Sequence, residues 1–178
     1  ERLEKLAMAG RLVVEGELVA RPADLADAAR NVDPAHEANR SVGGRERTES
    51  VANGLEDLPD EVNIVLVHDA ARPFVSDAMI DRVVAEARCG HGAVAALPVV
   101  DTLKEVDETR RVVRTVERAR LWRAQTPQGF PRDLIERAHA QARAEHVSTT
   151  DDAALFERLG LPVVVVRGSE RAMKITDE

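Results

Sequence analysis

The chain has 178 residues, of which 44% are hydrophobic and 32% charged, and its formal net charge is −7. These are ordinary values for one globular domain with a real core, and they exclude a chain that is disordered throughout. The negative charge argues against a protein that coats polynucleotides, and 2% aromatic residues remove the stacking surface of single-strand binders. The lone Cys89 forbids an internal disulfide, as suits a cytoplasmic protein, and no apolar stretch approaches the roughly 18 residues of a membrane span.

The first part of the chain gives weak signals. Residues 1–9 are predicted to end a helix, residues 13–20 to form an interrupted strand, and residues 23–31 to form a helix opened by Pro22. Gly43 and Gly44 then precede a helix that is predicted to begin near Thr48. Backbone amides at such a junction favour a phosphate-bearing partner, although a glycine turn before a capped helix is the simpler explanation of the pattern.

The segment of residues 63–73 is the clearest strand in the sequence. Its near-continuous apolar run, rich in β-branched residues, is typical of a strand buried on both faces of a parallel sheet. The run stops near Asp69, and Arg72 follows three residues later. Because ligands gather at the carboxyl ends of such strands, this pair is predicted to lie at a ligand-binding edge.

The rest of the chain alternates helices and strands. A helix capped by Ser76 precedes a buried strand over 93–100, a projecting charged hairpin over 103–116, and a short strand and loop over 121–130. A helix from Pro131 to about His146, another over 151–159 and a last buried strand over 162–167 follow. This alternation predicts one α/β domain, over residues 1–178, with a mostly parallel sheet. The hairpin is either an arm that grips a second subunit or a solvated surface feature.

Charged and hydroxyl side chains recur at the predicted strand ends. They are Asp69, Arg72, Asp101, Thr102, Arg118, Thr126 and Lys174. An Asp after a buried strand can hold Mg²⁺, which clamps phosphate oxygens, and Arg and Lys neutralise a transferring phosphoryl group. The set favours a phosphate-containing small molecule over the hydrolysis of a neutral bond, although each residue alone could cap a turn or lie on the surface.

Six motifs, in order along the chain, resemble the 2-C-methyl-D-erythritol 4-phosphate cytidylyltransferase family. They are GGRERTESVANGL, VLVHDAARPFV, LPVVDTLKEV, RTVERARLWRAQTPQGF, TTDDAALFERLG and MKITDE. They extend over about three quarters of the chain, and HDAARP, TPQGF and a late KIT are specific as a set. The resemblance implies a Rossmann-like nucleotidyltransferase fold, dependence on Mg²⁺ and CTP, and a homodimer that exchanges hairpin arms at about residues 101–122.

The resemblance also implies a reaction and a set of site residues. The phosphate of methylerythritol phosphate would attack the α-phosphorus of CTP and expel pyrophosphate. Asp69 would lie at the metal and the phosphates, while Arg118, from the partner's arm, and Lys174 would position the attacking phosphate. The residues implied at the cytidine are Gly44, Arg45 and Ser50, and those implied at the polyol phosphate are Ala70, Arg72, Thr102, Thr126 and Thr150.

The family also opens with a glycine-rich loop of the form AAGxGxRxG…PK, and no segment of residues 1–42 fits it. We therefore expect the chain to be a piece that begins after that loop and has low activity by itself. Two alternatives remain: a cytidylyltransferase for another polyol phosphate, such as ribitol 5-phosphate, and a non-catalytic nucleotide-binding or dimerisation module. A generic α/β domain with coincidental motifs is a third.

Overall fold

The computed structural model describes residues 12–15, 47–56, 58, 60, 62–69 and 71–175. The predicted helices over 1–9 and 23–31, and four predicted site residues or neighbours (Gly43, Gly44, Arg45 and Ala70), lie outside these ranges. In chain order the elements are β1 (Leu12–Glu15), α1 (Arg47–Glu56), β2 (Ile64–Val67), α2 (Asp77–Arg88), β3 (Gly92–Pro98), β4 (Leu103–Val106), β5 (Val112–Val116), β6 (Trp122–Pro131), α3 (Arg132–Glu145), α4 (Ala153–Arg158) and β7 (Val163–Arg167). A membrane-crossing helix is absent from the described residues.

The main sheet has the strand order β1-β2-β6-β3-β7. Its β3–β7 pair is parallel, and the other three pairs are antiparallel. The α/β fold is therefore confirmed, but the described strands form a mixed sheet rather than a mostly parallel one. The reason is the return of the chain from the hairpin: β6 starts beside the end of β3, with Trp122 opposite Pro98, and an antiparallel return needs no long crossover.

Strand β6 is longer than the predicted short strand and loop, because its ten residues pair with β2 on one side and β3 on the other. The ladder with β3 is irregular: Val94 pairs with Gln128 and Ala96 with Ala124, so β6 uses two residues more than β3 does. The extra residues surround Pro127, which cannot donate to a ladder. The proline and glycine of TPQG are typical of turns, so the sequence predicted a loop where the strand continues. The bulge changes the direction of the side chains beside them.

The alternating side chains of the sheet fill two hydrophobic cores. Val65 and Val67 face α1, α3 and α4, whereas Ile64 and Leu66 face α2. The sheet is thus covered by helices on both faces, as a continuous apolar strand requires. Gly129 brings α2 close, since a Cβ there would lie 2.5 Å from Val83 Cγ1.

Two peripheral strand regions are more exposed than the central sheet. Strand β7 pairs with β3 alone among the described strands, and its Val165 is exposed, so the predicted buried strand is half-buried instead. Strands β4 and β5 form a separate two-stranded hairpin, called the arm below, in which every strand residue is exposed except the half-buried Val116. The arm's turn is held by Asp107, whose carboxylate accepts hydrogen bonds from Thr109 and from the Arg111 amide. The predicted projecting hairpin is confirmed.

Candidate functional site

Asp69 stands just beyond the carboxyl end of β2, as predicted. Its carboxylate Oδ2 lies 3.4 Å from Nε of Arg72 and 3.5 Å from Nζ of Lys174, which arrives from the far end of the chain. Asp69 is half-buried and Lys174 is exposed. The structure therefore brings together three predicted site residues, a carboxylate between two cations at a solvent-accessible edge. This group is called the Asp69 site below.

The guanidinium of Arg72 is fixed at one end and unsatisfied at the other. Its Nη1 donates to the Ala172 carbonyl at 2.9 Å, and the Arg72 amide donates to the Asp69 carbonyl at 2.9 Å. Its Nε is buried and has no hydrogen-bond partner, because the contact with Asp69 has the distance of an ion pair without the alignment of a hydrogen bond. A buried unsatisfied donor is costly, and an anionic oxygen placed there would satisfy it.

The segment that leads to Lys174 is held by the side chain of Gln125, which sequence reasoning did not single out. Gln125 is buried in the bulge of β6, and its amide donates to the Ser169 carbonyl at 2.9 Å and accepts from the Ser169 amide at 3.0 Å. Beyond Lys174, the Ile175 amide donates to the Ala71 carbonyl at 2.8 Å. The segment is thus anchored on both sides of Lys174, which directs its ammonium towards Asp69.

Behind Asp69, a chain of hydrogen bonds joins Thr126 and His68. Thr126 Oγ1 accepts from the Asp69 amide at 2.9 Å and lies 3.0 Å from His68 Nδ1. The other ring nitrogen, Nε2, lies 3.0 Å from the Arg72 carbonyl. Burial lowers the pKa of His68 and outweighs the Arg72 carbonyl and the Asp69 carboxylate, which raise it. The burial of His68 therefore favours the neutral imidazole.

Two predicted site residues lie at the base of the arm. Thr102 is exposed just before β4, and the guanidinium of Arg118 donates to the Val100 carbonyl of its own chain. Within the described part of the chain, no hydrogen bond or ion pair joins either of them to Asp69. Their assignment to the polyol phosphate stays a prediction.

Two further predicted residues lie around α1 and α4. Ser50 is half-buried in α1, and Thr150 is exposed in the loop before α4. Thr150 is followed by Asp151, whose carboxylate accepts from Gln128 at 3.0 Å. The roles predicted for Ser50 and Thr150 are not tested by these positions.

A buried ionic cluster connects these two regions. Asp152 is 1% exposed, and its carboxylate lies 2.5 Å from Arg47 Nη2 and 3.0 Å from His139 Nε2. Burial raises the pKa of Asp152, but the hydrogen bond from His139 and the charge of Arg47 together outweigh it, and the pKa lies below its usual value. The cluster ties the first turn of α1 to the loop that carries Thr150. Nothing in the spacing of these residues along the chain predicts it.

A cavity of about 630 Å³ opens between α1 and α3. Its lining includes Thr48, Asn53 and His139 and none of the predicted site residues. No residue of the Asp69 site lines this cavity, so cavity size does not identify the chemistry here.

The donor set at Asp69 suits a magnesium ion that is held mainly by its substrate. The described residues contain no group of three or more His, Cys, Asp or Glu side chains that could hold a metal. Mg²⁺ commonly binds through one or two carboxylates and completes its coordination with water and phosphate oxygens. A single half-buried Asp69 beside the cations of Arg72 and Lys174 fits that pattern.

Comparison with known proteins gives a consistent result. A sequence profile of the 2-C-methyl-D-erythritol 4-phosphate cytidylyltransferase family matches residues 6–178. A curated relative of that name from Syntrophus aciditrophicus is 46% identical over 135 residues, 76% of this chain and 58% of that protein. Another, from Microcystis aeruginosa, is 40% identical over 174 residues, 96% of this chain and 76% of that protein. A crystal structure of that name from Thermus thermophilus has a TM-score of 0.71 and 44% identity, over 76% of this chain and 65% of that chain.

The fold is the α/β fold of the nucleotidyltransferases, with acidic and basic side chains collected at one edge of its sheet. Within that class, the chain belongs to the 2-C-methyl-D-erythritol 4-phosphate cytidylyltransferase family. The resemblance carried by the six motifs is confirmed. The chain spans little more than half the length of the Syntrophus relative, 58% of it.

Proposed function

We propose that the protein transfers CMP from CTP to the phosphate of 2-C-methyl-D-erythritol 4-phosphate, a step of isoprenoid precursor biosynthesis, and releases pyrophosphate. The observation that carries the proposal is the Asp69 carboxylate between the cations of Arg72 and Lys174, at a strand end of a chain that belongs to this family. Fixed cations and a carboxylate that can hold a divalent ion are what phosphoryl-type transfer requires, because the reaction needs positioning and charge neutralisation above all.

The reaction balances without a proton transfer. A phosphate oxygen of the polyol phosphate forms a bond to the α-phosphorus of CTP, and the bond from that phosphorus to the bridging oxygen breaks. The electron pair leaves with pyrophosphate. Lys174 would hold the attacking phosphate, and the guanidinium of Arg72 would bind an anionic oxygen beside it. The position of both cations beside Asp69 supports these roles.

A divalent cation, with Asp69 as its protein ligand, belongs to the proposal. When bound, Mg²⁺ would neutralise charge on the triphosphate. The remaining assignments follow the family pattern: Gly44, Arg45 and Ser50 at the cytidine, and Ala70, Thr102 and Thr150 at the polyol phosphate.

The active form is proposed to be a homodimer with exchanged arms. Val112 and Val113 on β5 are 61% and 59% exposed, and an isolated two-stranded hairpin is only marginally stable in water. Covering these side chains with a second copy of the chain would stabilise the arm and would carry Arg118 to the partner's Asp69 site. We place the enzyme in the cytoplasm, where a single unpaired Cys89 and soluble phosphorylated substrates are ordinary.

The test is pyrophosphate release by the polypeptide at the full length encoded by its gene. CTP and Mg²⁺ are supplied with methylerythritol phosphate in one arm of the experiment and ribitol 5-phosphate in the other. Turnover with the first and not the second supports the proposal, and the reverse preference would replace its substrate. Absence of turnover with either, together with intact CTP binding, would favour a non-catalytic nucleotide-binding module.

A further inference from the structure

When the His68 imidazole is neutral, as its burial favours, the hydrogen bonds behind Asp69 have only one consistent set of directions. A carbonyl oxygen can only accept, so His68 Nε2 must carry the hydrogen that is shared with the Arg72 carbonyl. In a neutral imidazole the other nitrogen, Nδ1, is then bare and can only accept. It therefore receives the hydroxyl hydrogen of Thr126, at 3.0 Å, while Thr126 Oγ1 accepts from the Asp69 amide at 2.9 Å.

This arrangement uses the single hydrogen of Thr126. The family pattern implies that Thr126 contacts the polyol phosphate, whose ionised oxygens only accept hydrogen bonds. A hydroxyl that already donates to His68 cannot also donate to a phosphate. Thr126 is moreover 6% exposed and His68 is 1% exposed, so both side chains lie beneath the site rather than within it.

We propose that His68 and Thr126 act as one positioning unit, in which His68 orients the Thr126 hydroxyl so that it holds the Asp69 amide, and that Thr126 does not donate to the substrate phosphate. The unit also fixes the Arg72 carbonyl, so the same imidazole sets both ends of the loop from Asp69 to Arg72. This inference rests on the proposed function for its kinetic consequence, but not for the direction of its hydrogen bonds.

The bulge of β6 is what makes the unit possible. A regular strand would leave Thr126 within the ladder between Ala124 and Gln128, whereas the two extra residues move it out towards the β2 end. The phosphate is then left to the cations beside Asp69, of which Lys174 is exposed. In this arrangement the cations bind the substrate, whereas the neutral pair of His68 and Thr126 supports the loop.

The first test reads the hydrogen bonds directly and needs no substrate. Long-range ¹H–¹⁵N correlation spectra of the full-length wild-type protein at pH 7 report which ring nitrogen of His68 is protonated, with His68→Gln used to assign the signal. We expect hydrogen on Nε2 and none on Nδ1. Hydrogen on Nδ1 would free the Thr126 hydroxyl and overturn the proposal.

The second test is a double-mutant cycle on pyrophosphate release. Thr126→Val removes the hydroxyl at nearly constant volume, and His68→Gln keeps a donor for the Arg72 carbonyl but no acceptor for Thr126. Each change is expected to lower kcat on the order of tenfold to a hundredfold through misplaced catalytic groups, with KM for the polyol phosphate nearly unchanged. Because the two residues act as a unit, the double variant should lose no more than the worse single variant.

Two conservative variants separate positioning from general damage. Thr126→Ser keeps the hydroxyl and should retain most of kcat, and His68→Asn, which offers an acceptor near Nδ1, should exceed His68→Gln. Multiplicative losses in the double variant, or a rise in KM for the polyol phosphate in Thr126→Val at constant kcat, would indicate direct substrate contact and contradict the unit. If the wild-type protein shows no transfer at all, the proposed function fails, while the spectrum still decides between the two hydrogen-bond directions.

Discussion

The Asp69 site and the arm are built in opposite ways. The Asp69 site combines Asp69 and Arg72, which follow β2, with Lys174 from the chain's last described segment, and several of its supporting hydrogen bonds link residues more than 40 positions apart. The arm is formed by neighbours in sequence, with Lys104 paired to Thr115 and Arg114 to Glu105, and almost all of it is exposed. The first region is supported from within one chain, whereas the second displays surface that its own chain does not cover. The role of the residues at the base of the arm therefore depends on which surface covers the arm.

The largest effect is expected when the negative charge at the centre of the Asp69 site is removed. Asp69→Asn keeps the size of the side chain but removes the anion between Arg72 and Lys174, and activity should fall on the order of a thousandfold. Steady-state pyrophosphate release measures the effect. Asp133→Asn, an exposed acid in the first turn of α3, is the matched control and should keep wild-type activity. Equal activity in the two variants would remove Asp69 from the mechanism.

The buried Asp152 cluster lies in the body of the domain, and a substitution there measures how much it stabilises the fold. Asp152→Asn leaves Arg47 and His139 without their anion in a buried setting, and the free energy of unfolding should fall by about 3 kcal/mol at pH 7. Denaturant unfolding with far-UV circular dichroism measures it.

The pH dependence of that difference has a definite sign. Because the folded pKa of Asp152 lies below its unfolded value, its contribution is complete above the ordinary carboxyl range and is lost as the pH falls through the folded pKa. The gap between wild type and Asp152→Asn should therefore shrink below about pH 4. A gap that widened in acid would contradict the ion pairs of Asp152.

Complementation between subunits tests whether the arm serves the Asp69 site of its own chain or that of the partner. Arg118→Ala should lower activity on the order of a hundredfold through the loss of one cation at the attacking phosphate. If arms are exchanged, mixed dimers of Arg118→Ala and Asp69→Asn protomers contain one site with neither change. Random mixing in equal amounts then restores about a quarter of wild-type activity.

The contrary outcome of that mixing experiment is equally clear. If Arg118 serves the site of its own chain, every site in a mixed dimer carries one defect or the other, and no activity returns. Mixing Lys174→Ala with Asp69→Asn is the control. Both of these residues lie in the Asp69 site of one chain, so every site in such a mixed dimer carries a defect and activity should not recover. Recovery in this control would show that Lys174 also acts across the dimer.

The smallest expected effect concerns the support of Lys174. A Cβ added at Gly168 would lie 2.2 Å from Gln125 Oε1 and 3.0 Å from the Ala96 carbonyl, so Gly168→Ala must displace the Gln125 side chain or the segment that it holds. We expect KM for the polyol phosphate to rise about tenfold as Lys174 moves. Gly160→Ala, at the left-handed residue that follows α4, should lower stability and leave KM unchanged. A KM unaffected by Gly168→Ala would show that Gln125 does not place Lys174.

Much of this could be predicted because the signals were local. The strand before Asp69, the helix from Ser76 and the arm's turn at Asp107 each follow from periodicity, capping or turn chemistry within a few residues. Sequence reasoning failed where distant neighbours decided the conformation. The strand β6 contains Pro127 and Gly129, which locally indicate a loop, yet pairing with β2 and β3 on both sides makes it the longest strand described.

The sequence by itself determined the order of strands and helices, the position of Asp69 and Arg72 at a strand end, and the family to which the chain belongs. Only the tertiary structure decided that β6 enters the sheet antiparallel, how Lys174 is held beside Asp69, and that His68, Thr126 and Gln125 support the site. The physical reason is that apolar periodicity is written along the chain, whereas hydrogen-bond partners are chosen among groups that meet only after the chain has folded. A histidine next to an acidic residue at a strand end looks the same in sequence whether it faces a ligand or supports the loop beneath it.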